Sequence, residues 1–212
     1  MKRPVLRALI CAALALSLPL PARSSDVAGT FDYYVLSLSW SPSWCATQGG
    51  DAPQCEPRRR TSFVVHGLWP QYERGWPDFC TTPQRDPTRR ESRGMEDLMG
   101  SAGLAWYQWQ KHGRCSGLSG PDYYRATSEA AATIEIPQVL AMLPRDVRLD
   151  ASVIEDAFIE ANPDLTRDGI TVTCKGPRLQ EVRICLTRDL EPRRCGQDVR
   201  RDCRIPMLVE AP

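Results

Sequence analysis

The chain has 212 residues, with 27 basic and 26 acidic side chains. Its overall charge is close to neutral, so any affinity for a polyanion must come from a local site and not from global attraction. The length suits one domain with a sizeable core, and past the first two dozen residues no segment is apolar for long enough to span a bilayer.

Lys2, Arg3 and Arg7 precede an apolar run from Ala8 to Leu20, and Pro21-Ala22 leads into polar Arg23-Ser24-Ser25. This pattern predicts a signal peptide over residues 1–24, cleaved near 22–25 and followed by one domain over 25–212. Cys11 leaves with the leader. Cys45, Cys55, Cys80, Cys115, Cys174, Cys185, Cys195 and Cys203 remain. An even set in an exported chain predicts four disulfides, with about a hundred pairings open on spacing alone. Two histidines and no CxxC pair make a zinc site a poor reading, so no metal and no cofactor is expected.

Along the mature chain, Phe31 to Trp40 alternates and is rich in aromatic and aliphatic residues, which predicts a strand. Ser62 to His66 reads as a buried strand ending at Gly67. Residues 70 to 94, dense in Pro, Gly, Arg and Asp, read as irregular and tethered through Cys80. Gly103 to His112 reads as a helix with Gly113 as its C-cap. Pro121 to Ile134 and Pro137 to Leu143 read as further helices. Ser152-x-x-Glu155 reads as a capping box that opens a helix through Ala161. Strands are expected at Thr171 to Lys175 and Leu179 to Leu186. Together these elements predict an α+β fold with a mainly antiparallel sheet.

Chemistry concentrates at two places. The only histidines are His66, in Phe63-Val64-Val65-His66-Gly67-Leu68-Trp69-Pro70, and His112, in Trp109-Gln110-Lys111-His112-Gly113-Arg114-Cys115. Imidazole is the side chain suited to giving and taking protons near neutrality. Helical spacing puts Gln108, Lys111 and His112 on one face. Against 24 arginines the chain has only Lys2, Lys111 and Lys175. A lysine beside His112 therefore marks a place for a compact point charge, which a planar guanidinium does not supply.

These segments resemble the ribonuclease T2 family of exported endoribonucleases. The resemblance extends to Tyr33-Tyr34-Val35-Leu36-Ser37-Leu38-Ser39-Trp40-Ser41-Pro42 and to Glu181-Val182-Arg183-Ile184-Cys185-Leu186. It implies an antiparallel sheet flanked by helices, with catalytic His66 and His112 and with Lys111 stabilising phosphate charge. It also implies metal-free cleavage to 2′,3′-cyclic phosphates and then, more slowly, 3′-phosphates. The disulfides it implies are Cys80–Cys115 and Cys174–Cys203 around Cys185–Cys195, with Cys45–Cys55 left as the fourth. Where many members have His-Glu this chain has Tyr107-Gln108. Tyrosine at that place resembles bacterial members. Gln108 stands at the family's catalytic glutamate and cannot ionise.

Such chemistry needs a base for the 2′-OH proton and an acid for the leaving 5′-oxygen, which two imidazoles can supply in line. A cation beside the phosphate stabilises the growing charge. Following the family, His112 is read as base and His66 as acid. Trp69, Gln71 and Tyr72 are the expected base-contacting residues, with Trp76 a further aromatic nearby. The expected partner is single-stranded RNA, with DNA not cleaved and no membrane contact. The protein is expected to be a monomer, periplasmic or secreted. The alternative is an attenuated descendant that binds RNA or a partner without cutting.

Overall fold

The computed structural model describes residues 26–49 and 51–212, so the leader expected over 1–24 lies outside them. Six strands, β1 (Tyr33–Trp40), β2 (Phe63–Gln71), β3 (Val147–Leu149), β4 (Ile170–Lys175), β5 (Arg178–Leu186) and β6 (Met207–Val209), form one sheet. Its order is β2-β1-β5-β6-β3, with β4 added to β5. All pairings are antiparallel except one parallel contact between Arg178 of β5 and Leu208 of β6. Around the sheet lie α1 (Ser41–Trp44), α2 (Arg89–Arg93), α3 (Glu96–Met99), α4 (Ala102–Lys111), α5 (Gly120–Ala132), α6 (Gln138–Ala141) and α7 (Ala151–Ala161). The fold is α+β, the three disulfides that the family resemblance implies are present, and Cys45–Cys55, left as the fourth, is joined as well.

β1 alternates between two cores and not between core and water. Tyr34, Leu36, Leu38 and Trp40 enter the large core with Leu68, Trp109, Tyr123 and Phe158. Tyr33 and Val35 enter a smaller one with Cys185, Cys195 and Val199, against which Trp69 packs. Burying side chains as large as Trp109 or Tyr123 contributes about 2–3 kcal/mol each. The Tyr123 hydroxyl also donates to the Leu68 carbonyl at 2.9 Å, tying α5 to β2.

The structure corrects several expectations. β2 does not end at Gly67 but continues to Gln71. It lies at the sheet's edge, where Pro70 costs no ladder hydrogen bond. What interrupts its period is a bulge: Ser37 faces Gly67 and Leu38 faces Val65, leaving His66 unopposed. The segment read as irregular contains α2, opened by a capping box between Thr88 and Glu91. Gly113 is not the C-cap of α4. His112 is, and Gly113 begins a 3₁₀ turn at a close approach, where a Cβ would stand 2.5 Å from Trp109 and 2.8 Å from Tyr123. Ser152 does not cap α7 either. Asp150 holds that position, and Glu155 turns inward to Arg167 at 2.7 Å instead of back to the helix end.

Candidate active site

His66 owes its position to the bulge. Val65 and Leu68 both reach the large core, and the extra residue between them is re-aimed. Its Nδ1 meets Glu181 Oε1 of β5 at 2.5 Å, and Nε2 is the nitrogen left free of that bond. Glu181 is 1 % exposed. Its other oxygen accepts from Arg183 Nε at 2.9 Å and Nη2 at 2.7 Å. Burial alone would raise this carboxyl. The His66 hydrogen bond and charge, together with Arg183, outweigh it and hold the group at about 2.

α4 brings the second half. Ser101 opens it by accepting from the Leu104 N–H, and Lys111 lies in its last turn. The Cys80–Cys115 disulfide and a 2.8 Å bond from the Phe79 N–H to the Lys111 carbonyl pin the helix end against the preceding segment. His112 is 6 % exposed and its Nδ1 has no protein partner. Burial, then the charges of Lys111 and His66, push its imidazole down to about 3. The two histidines are thus unlike: one is paired with a buried carboxylate, the other is kept neutral.

Trp69 joins them. Its ring stacks on His112 with centroids 5.2 Å apart and meets His66 edge-on at 5.3 Å. Arg183 lies over the same ring, 5.2 Å from its centroid. The indole Nε1 donates to Gln108 Oε1 at 2.7 Å. Gly67 makes this bond possible, since a Cβ there would sit 2.4 Å from both atoms. Gln108 is therefore a buried acceptor that orients Trp69.

A cleft of about 480 Å3 collects these groups, lined by His66, Trp69, Gln108, Lys111, His112 and Arg183 among others. Gln71 and Trp76 also line it, Gln71 buried with its amide on the Pro70 carbonyl, Trp76 exposed. Tyr72 does not. It packs against the large core, and its hydroxyl turns to Asp26 at 3.4 Å. Glu181 and Arg183 were missed as site residues by the reading from sequence. Their only signal there was a charged pair at i,i+2, which puts both on one face of a strand.

Solved structures share this fold. An RNase-related protein from Calystegia sepium superposes with a TM-score of 0.67 at 24 % identity, over 86 % of this chain and 97 % of that one. RNase NT in complex with 5′-AMP gives 0.66 at 22 %, over 86 % and 98 %. Residues 31–195 match the model of the Ribonuclease T2 family, and the chain belongs to that family. A ribonuclease of Aeromonas hydrophila is 44 % identical over 115 residues, 54 % of this chain and 52 % of that protein. A probable ribonuclease of Haemophilus influenzae is 34 % identical over 122 residues, 50 % and 44 %. The matched region spans about half the length of these curated relatives.

Proposed function

We propose that this protein is an endoribonuclease that cuts single-stranded RNA by transesterification. The observation that carries the reading is the inequality of the two histidines across Trp69. His112, without a proton at neutral pH, takes the proton of the 2′-OH. The 2′-oxygen attacks phosphorus and the bond to the 5′-oxygen breaks. His66, whose positive form the Glu181 carboxylate stabilises, protonates the departing oxygen. The ammonium of Lys111 stabilises charge on the non-bridging oxygens. The roles exchange when water opens the 2′,3′-cyclic phosphate to a 3′-phosphate.

DNA lacks the attacking hydroxyl and is not cut. The imidazoles and the ammonium supply every proton transfer and charge that the steps require, so the reaction proceeds without a metal. Trp69 and Trp76 offer aromatic surfaces to an unpaired base, with Gln71 beside them. Tyr72, turned to Asp26, is dropped from the base site. The leader read from the sequence over 1–24 and the four disulfides support an enzyme that is periplasmic or secreted, in an oxidising compartment, and we read it as a monomer.

The test is incubation of the mature, disulfide-bonded chain with single-stranded RNA in EDTA, beside His66→Ala and His112→Ala. Cyclic-phosphate ends that disappear in both variants are the expected result. A folded wild type that binds RNA without cutting it would replace this reading with that of an attenuated RNA binder.

A further inference from the structure

Past the leader read over residues 1–24, Lys111 and Lys175 are the only lysines among 23 basic residues. Both open onto one trough. Beyond His66 from the cleft already described lies a second depression of about 700 Å3, and the two share His66, Gln180 and Glu181. Its far wall is the β4–β5 hairpin, where Lys175 stands opposite Arg178.

Arg178 is three residues along β5 from Glu181, about 10 Å at the strand rise. That is too far to serve the phosphate handled by His66, but it suits a neighbouring phosphate of an extended strand. One carboxylate lines this depression, Glu181, and a second, Glu210, is bonded to its lining residues Arg178 and Ser43. Glu181 is committed to His66 and Arg183. Lys175 is exposed and has no ion-pair partner among the described residues. Trp40, buried and also lining the depression, has an indole Nε1 without a partner.

We propose that Lys175, supported by Arg178, forms a second phosphate subsite, so that longer RNA is preferred to the minimal dinucleotide. The inference rests on the ribonuclease reading. Lysine suits this place because a mobile point charge can follow a flexible backbone.

The test compares kcat/KM in EDTA for a dinucleoside monophosphate and for oligoribonucleotides lengthened at either end. The enzymes are wild type, Lys175→Ala, Lys175→Glu and Lys175→Arg. Wild type should gain with length. Lys175→Ala should lose about fivefold on the longer substrates, keep its rate on the dinucleotide, and lower the log–log salt slope by about 0.7. Lys175→Glu should lose more, and Lys175→Arg should keep most of the gain. Equal effects at every length, or a wild type indifferent to length that still cuts the dinucleotide, would overturn the subsite alone. A wild type that cuts neither substrate would overturn the ribonuclease reading and the subsite with it.

Discussion

Glu181 Oε1 lies 2.5 Å from Nδ1 of His66, whereas the Nδ1 of His112 is buried without a partner. One imidazole has a carboxylate to stabilise its positive form, and the other has burial and a neighbouring lysine to oppose it. Glu181→Gln keeps the shape and removes the charge. It should lower kcat about ten- to a hundredfold with little change in KM. An unchanged kcat would show that Glu181 only packs His66 in place.

Gln108 accepts the Trp69 N–H, and a glutamate could accept the same bond while adding a negative charge close to His112. Gln108→Glu should therefore raise the His112 pKa from its depressed value of about 3. The acid limb of kcat/KM would then move to higher pH, and the rate near neutrality would rise. Measuring the profile of both proteins from pH 3 to pH 8 checks this. Identical curves would refute it.

Trp69 stacks on one histidine, touches the other with its edge, and donates to a buried amide. Trp69→Phe keeps an aromatic face but orphans Gln108 Oε1, at a cost of about 1–3 kcal/mol in stability. Trp69→Ala also removes the surface that aligns both imidazoles. We expect about a tenfold loss of kcat/KM in the first and at least about a hundredfold in the second. Thermal unfolding alongside kinetics separates the two effects.

Acid should destabilise the protein through both partners of the site. The His112 pKa lies near 3 in the folded state against an ordinary 6.5, so the unfolded chain binds the extra proton as pH falls through that window. The Glu181 carboxyl lies near 2 against 4.5, so its contribution is full above 4.5 and fades as pH falls toward 2. The Tm should hold near neutrality and decline below about pH 6. His112→Leu should flatten the upper part of the decline, and Glu181→Gln the lower part.

Much of this was legible along the chain because the signals are local. The strand at 33–40, the helix carrying Gln108, Lys111 and His112, and the last two long strands follow from hydrophobic period and breakers. The capping box at Thr88–Glu91 was equally local, but it was masked by a stretch rich in proline and arginine. Ser152-x-x-Glu155 misled because the motif does not say which way its glutamate turns. That depends on Arg167, beyond the helix.

Sequence alone determined the composition of the site: two histidines, a lysine where arginine is the rule, and an amide where an acid could stand. Tertiary structure decided how those groups differ. The bulge that re-aims His66 exists only because β2 pairs with β1 out of step. Glu181, 115 residues away along the chain, reaches His66 through sheet register. Burial of His112 depends on what packs around the end of α4. A side chain's charge state is set by its distances to other charges and to water, and those distances come into being only when the chain has folded.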